Sequence, residues 1–353
     1  VRFSTLLTLL SFFFFYYFAI FASAEERVMR LCVVIPAYNE EAVLRQTHTE
    51  MSTILESLAQ KGEIAKDSFI CFVDDGSKDR TWEILQSLAQ EQNGLIASSG
   101  IKLSRNCGHQ NALLAGLEYV ADKCDYALSI DCDLQDDISV IDTFIEKAKR
   151  GVEVVLGVRK SRNKDSFFKK YSALGFYKLM AFMGVKITYN HADYRLLSSR
   201  AISALLSFKE RNSFLCGIVP LLGFKSDRVE YDRLERLAGE SKYPLFKMLS
   251  FAWNGITSFS VMPLRIVSML GIAFFILSLG LGLYALYVKL FTDGVVYGWA
   301  STIILLCFFS GIQLLSLGVI GEYVGKIYAE TKGRPRYFIE EIANPQKNTS
   351  NNK

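Results

Sequence analysis

The residues best equipped for chemistry are acidic. Asp131-Cys132-Asp133-Leu134-Gln135-Asp136-Asp137 follows a short apolar run, and Asp74-Asp75-Gly76-Ser77 follows another. Two aspartates one residue apart at a strand end can set two oxygen ligands around one hard cation, with Gln135 as a third polar group. Mg²⁺ or Mn²⁺ suits such a site, because both prefer carboxylate and phosphate oxygens and often bridge a substrate's phosphates. The pairing alone is a weak signal. Its place after a buried strand, with more acids following, strengthens it. The Asp74–Ser77 turn reads equally as a helix N-terminal cap region, helped by Asp79 and Thr81, or as an acceptor for a base or ribose. Another run ends in Pro36-Ala37-Tyr38-Asn39-Glu40. Carboxylates this dense repel one another unless a cation or a donor-rich ligand lies between them.

Basic residues gather in Gly157-Val158-Arg159-Lys160-Ser161-Arg162 and in Arg236-Leu237-Ala238-Gly239-Glu240-Ser241-Lys242. A solvated charged face is the default reading of such runs. Arg236 and Lys242, flanking a Gly/Ser turn just before long apolar segments, are also placed to grip a phosphate where a lipid headgroup would arrive. The three histidines are far apart, so a His/Cys metal site is not expected. Seven cysteines are scattered without a CxxC pair, which points to reduced, mostly buried thiols in a cytoplasmic domain.

The elements that must position these residues alternate. Leu31–Ile35, Phe69–Val73, Ile101–Leu103, Tyr126–Ile130 and Val152–Val158 read as short buried strands. Helical segments are predicted over Glu40–Gln60, Thr81–Gln92, Asn111–Ala121 and Val140–Arg150. That alternation predicts an α/β fold with a mostly parallel sheet, helices on both faces and ligands at the strands' carboxyl ends.

The whole chain has 353 residues, 50% of them hydrophobic and 22% charged, with a net charge of +4. This excludes a disordered chain and a small disulfide scaffold, and lends no support to nucleic-acid binding. A mean hydropathy of +0.21 points to a soluble domain joined to membrane spans. Ile266–Val288 and Gly294–Gly321 carry no charge, and about 20 apolar residues suffice to cross a bilayer as a helix. Lys242, Lys247 and Arg265 precede the first stretch, and Lys326, Lys332, Arg334 and Arg336 follow the second. The positive-inside rule then puts both outer ends of this hairpin in the cytoplasm. Tyr243–Met262 reads as a segment lying flat on the membrane.

Phe3–Ala24 is a further apolar stretch. Ala22-Ser23-Ala24 before Glu25 imitates a secretory cleavage site, yet export would oppose the charge rule. The alternatives are an upstream extension, with Met29 as the natural start, and an N-terminal anchor. The expected division is thus an N-terminal extension (1–28), a soluble catalytic domain (29–242), a juxtamembrane segment (243–263), a hairpin (264–323, spans near 266–288 and 298–320) and a tail (324–353).

Five motifs, in order and spacing, resemble the inverting family 2 glycosyltransferases: Ile35-Pro36-Ala37-Tyr38-Asn39-Glu40, Val73-Asp74-Asp75-Gly76-Ser77, Leu103-Ser104-Arg105-Asn106, Asp131–Asp136 and Arg236-x-x-Gly239-x-Ser241-Lys242. Within them the match is best to the polyprenyl-phosphate branch, which includes bactoprenol glucosyltransferases and dolichol-phosphate mannose synthases. It covers about Leu31 to Lys332. The resemblance implies a GT-A fold, a nucleotide-sugar donor, a divalent cation, a polyprenyl (undecaprenyl) phosphate acceptor at the inner membrane, and a homotetramer. By motif, Pro36, Tyr38, Glu40 and Asp75 would hold the nucleotide, and Asp131, Asp133 and Gln135 the metal. Arg159, Arg236 and Lys242 would hold pyrophosphate or acceptor phosphate. Asp193, in His191-Ala192-Asp193-Tyr194-Arg195, matches an acidic position near the reacting sugar; a salt bridge with Arg195 is its competing reading. Cys132 stands where Ala or Val is usual and Asp137 where Pro is common, and neither change removes a ligand. The Q-x-x-R-W motif of processive synthases is absent, which disfavours polymer synthesis. UDP-glucose is the favoured donor, ahead of UDP-N-acetylhexosamine, GDP-mannose and a formamido-arabinose donor. A degenerate membrane scaffold is the non-enzymatic alternative, and the intact acidic and basic sets argue against it.

Overall fold

A strand buried on both faces needs an unbroken apolar run, and Leu31–Ala37 supplies one. In the computed structural model it forms β1, buried at every residue, in the interior of an eight-stranded sheet. The structure describes residues 28–91, 94–160, 183, 191–210, 215–233, 253, 256–258, 260–291 and 298–345. Residues 1–27, most of the 243–263 segment, Arg236 and Lys242 lie outside them.

After β1 come α1 (Leu44–Gln60), β2 (Phe69–Asp74), α2 (Thr81–Gln90), β3 (Ala97–Leu103), α3 (His109–Val120), β4 (Tyr126–Ser129), α4 (Ile141–Lys149) and β5 (Val154–Arg159). Each lies within a few residues of its predicted span. Then follow β6 (His191–Ser198), α5 (Ser199–Ser207), α6 (Leu215–Ile218), β7 (Ser226–Tyr231), the long helices α7 (Met262–Phe291) and α8 (Trp299–Thr331), and β8 (Ile339–Ala343).

The strand order is β7-β5-β6-β4-β1-β2-β3-β8. Strands β3, β2, β1 and β4 run parallel, while β6 is inserted antiparallel between β4 and β5. Successive residues of β1 face opposite layers. Leu31, Val33 and Ile35 pack with Met51 and Leu55 of α1 and Phe144 of α4. Cys32 and Val34 pack with Leu113 and Leu117 of α3 and Ile202 of α5. Gly116 permits the second layer: a Cβ there would lie 2.4 Å from Val34 Cγ1 and 2.8 Å from Val73 Cγ2. The cysteines at 32, 71, 107, 124, 132 and 216 are free thiols.

The two long helices obey a different rule. Ile272, Phe275 and Leu283 on α7 are 62%, 67% and 60% exposed. Leaving one such side chain in water forgoes roughly 1.5–3 kcal/mol of burial, so a row of them is stable only against apolar surroundings. Met262–Tyr284 and Phe308–Thr331 are long and apolar enough to cross a membrane, with mean hydropathies of 2.4 and 1.3. At the foot of the hairpin Tyr323 Oη donates to the Ser260 carbonyl at 2.5 Å, and Lys326 Nζ donates to Ser258 Oγ at 3.0 Å.

Past α8 the chain returns to the sheet. β8 pairs antiparallel with β3 and covers an otherwise open edge. Trp82 Nε1 and Gln86 Nε2 donate to the Glu341 carboxylate at 3.0 and 2.8 Å, and the Ser104 amide donates to the Phe338 carbonyl at 3.0 Å. The sequence reading has 324–353 as a cytoplasmic tail and predicts no strand there. A short edge strand whose partner lies so far upstream, before both long helices, has no local period that names that partner.

Candidate active site

Parallel topology brings the carboxyl ends of β1, β2, β4 and β5 to one edge, and antiparallel β6 brings its amino end there too. The loops after β1 and β2 are stitched together. The Asp75 amide donates to the Ala37 carbonyl (2.9 Å), the Asn39 amide to Ser77 Oγ (2.9 Å), the Lys78 amide to Asn39 Oδ1 (2.8 Å) and the Glu40 amide to Thr81 Oγ1 (3.0 Å). Asn39 adopts φ 55°, a left-handed conformation that asparagine tolerates. Tyr38 is 41% exposed beside this seam.

Asp74 and Asp75 are buried. Asp74 Oδ1 accepts from the Ser77 amide at 3.0 Å. Asp75 accepts from two amides of the next loop, Cys107 at 2.6 Å and Gly108 at 2.9 Å. Burial raises both carboxyls above the usual range, and these amides hold them down against it. Gly76, at φ +67°, lets the two turns touch: a Cβ would stand 2.5 Å from the Arg105 carbonyl carbon.

The turn after β4 is built differently. Thr47 Oγ1 on α1 donates to the Cys132 carbonyl at 2.7 Å, and buried Leu134 takes φ 50°, a conformation costing a branched side chain about 1–2 kcal/mol. Asp133 Oδ1 accepts the Gln135 amide at 3.2 Å. Asp131 Oδ1 is buried and has no hydrogen-bond partner among the described residues. Burial pushes the Asp131 carboxyl up to about 6, against the pull of His109. His109 Nε2 lies 3.3 Å from Asp131 Oδ1 and 3.2 Å from Asp193 Oδ2. Burial lowers that imidazole, but Asp193 and Asp131 outweigh it and lift it to about 8.

Asp193 also pairs with Arg195, a buried guanidinium two residues along β6. Ser129 Oγ on β4 donates to the Asp193 carbonyl at 2.7 Å and fixes the start of β6. Farther along the edge, Asp136 accepts from Arg159 Nη2 at 3.1 Å and from Tyr231 Oη at 2.6 Å. Burial opposes the Arg159 charge and Asp136 restores it. Gln135 Oε1 accepts from Arg233.

Among the described residues no three His, Cys, Asp or Glu side chains converge as a ready-made metal cage. Mg²⁺ and Mn²⁺ need none, being held by one or two carboxylates and completed by water and substrate phosphates. Asp131 Oδ1, buried beside the His109 imidazole without a hydrogen bond among the described residues and in the same turn as Asp133, fits that demand.

Residues 32–206 match the glycosyl transferase family 2 profile, and residues 262–327 match the GtrB C-terminal hairpin. An uncharacterised glycosyltransferase of Bacillus subtilis (strain 168), YkoT, is 51% identical over 88% of this chain and 91% of its own length. The chain belongs to glycosyltransferase family 2. A bactoprenol glucosyl transferase of Shigella phage SfX is 37% identical over 88% of this chain and 99% of its own. The solved glucosyl-3-phosphoglycerate synthase from Mycobacterium tuberculosis aligns with a TM-score of 0.42 at 15% identity, over 65% of this chain and 79% of that one.

Of the residues singled out in this glycosyltransferase, Pro36, Tyr38, Glu40, Asp75, Asp131, Asp133, Gln135, Arg159 and Asp193 gather at one sheet edge. Asp193 makes the salt bridge with Arg195 that was its competing reading, and it also lies 3.2 Å from His109 at that edge. Sequence reasoning missed His109, Arg233 and Tyr231. His109 lies just past the Leu103–Asn106 motif, at the first residue of α3 where the loop after β3 ends at this same edge, and that position is the signal that could have found it.

Proposed function

We propose that this glycosyltransferase moves glucose from UDP-glucose to undecaprenyl phosphate at the cytoplasmic face of the bacterial inner membrane, inverting the anomeric carbon. The observation that carries this reading is the likeness, over 99% of its length, to a protein named bactoprenol glucosyl transferase. Two apolar helices at the C-terminal side are in keeping with a lipid acceptor, and on this reading both hairpin ends are cytoplasmic and the protein is a homotetramer.

Pro36, Tyr38, Glu40 and Asp75 would bind the nucleotide, Asp75 doing so by holding the 107–108 loop in place. Asp131 and Asp133, with Gln135, would hold Mg²⁺ or Mn²⁺. When bound, such a cation offsets charge building on the departing nucleoside diphosphate. The acceptor phosphate is already ionised at neutral pH, so it needs positioning and charge screening more than deprotonation. Arg159, at the end of β5, and Arg236 and Lys242 would supply that positive charge. Asp193, braced by Arg195, would orient the sugar or stabilise its oxocarbenium-like centre. Tethering by the hairpin would keep the site at headgroup height and raise the effective acceptor concentration.

The test is a donor panel of UDP-glucose, UDP-N-acetylglucosamine, GDP-mannose and a formamido-arabinose nucleotide, incubated with purified protein and undecaprenyl phosphate and read by mass spectrometry. Glucosyl-phosphoundecaprenol from UDP-glucose alone is expected, with its formation stopped by EDTA. Labelling from another donor replaces the sugar assignment, and a lipid unlabelled by every donor overturns the reaction.

A further inference from the structure

One ring nitrogen lies between two carboxylates that have different tasks. His109 opens α3, and its Nε2 stands 3.3 Å from Asp131 Oδ1 and 3.2 Å from Asp193 Oδ2. The imidazole therefore stands between the two carboxylates, in ion-pair reach of each. Asp193 is gripped from its other oxygen by buried Arg195. It is thus held between two donors, one from the helix layer and one from its own strand.

Without the imidazole, Asp193 would lose the α3 contact that turns it from the proposed cation. Divalent-cation affinity rises with the number of carboxylates in the ligand set. A third carboxylate would tighten the cation while using up positive charge needed by the leaving diphosphate. We propose that His109 is a positioning residue that keeps Asp193 out of the cation's ligand set and reserves it for the sugar. This rests on the assignment of Asp131 and Asp133 to the cation.

Mn²⁺ binding to the detergent-solubilised full chain, followed by electron paramagnetic resonance and calorimetry, tests it beside the kinetics of transfer. His109→Ala should bind Mn²⁺ roughly tenfold tighter, the scale on which groups behind a metal site act, while kcat falls and the donor KM changes little. His109→Gln, which keeps an N–H donor, should return affinity and rate towards the parent. In an Asp193→Asn background His109→Ala should leave Mn²⁺ affinity unchanged. Should His109→Ala not fold by thermal melt, His109→Asn, too short to reach Asp193, carries the same expectation. Unchanged or weaker Mn²⁺ binding on losing the imidazole overturns the role of His109. A parent protein that takes up no Mn²⁺ overturns the cation assignment itself, a distinguishable result.

Discussion

The turns after β2 and β4 both begin with aspartates at the carboxyl end of a buried strand, but their carboxylates meet different surroundings. After β2, Asp75 is spent on the fold, its two oxygens accepting the Cys107 and Gly108 amides, while Asp74 gives one oxygen to the Ser77 amide and keeps the other buried without a hydrogen bond among the described residues. After β4, Asp131 keeps a buried oxygen without a hydrogen bond among the described residues and has a histidine beside it. The first turn assembles the loops around the site, and on the proposed reading the second serves a ligand. A run of acids is therefore not one thing; what each carboxylate accepts decides whether it builds or binds.

The largest effect should come from the binding turn. Asp133→Ala should cut sugar transfer by about a thousandfold or more, the scale of losing a main electrostatic contributor to the transition state, while the thermal midpoint stays near that of the parent. A parallel loss of folding would place Asp133 with the builders. In the building turn, Gly76→Ala must push a Cβ into the Arg105 and Asn106 backbone. It should cost about 2 kcal/mol or more of stability, read by denaturant melts, and raise the donor KM. Asp75→Asn leaves two amides sharing one weaker acceptor, and should cost roughly 1–3 kcal/mol with a partial loss of donor affinity. The smallest change is expected at Asp137, whose Oδ1 caps the short turn at Ile138–Val140 by accepting the Ser139 amide at 2.9 Å. Asp137→Ala should lower stability by about 0.5–2 kcal/mol and leave transfer intact, showing that the acidic run 131–137 is not uniformly a ligand set.

Much of the parallel half was legible because its strands are continuous apolar runs, each ending in a polar turn. Leu31–Ile35, Phe69–Val73 and Tyr126–Ile130 announce themselves in this way. Strand β6 did not, since His191-Ala192-Asp193-Tyr194-Arg195 breaks the apolar pattern with the charges that serve the site. Its antiparallel insertion depends on pairing, which no local period encodes. Strand β8 was hidden for the same reason, with two membrane-length helices between it and the rest of the sheet. Within the site, the acids were visible as residue types. Which of them hold the loops together was not, because that depends on amides distant in sequence, such as Cys107 and Gly108 for Asp75.

The most direct test of the whole account is calorimetric titration of Mn²⁺ into the purified chain with UDP present. The parent should take up the ion, and Asp131→Ala and Asp133→Ala should abolish uptake while Asp75→Asn retains it. Uptake that survives both substitutions, or a parent that takes up no ion, would contradict the account.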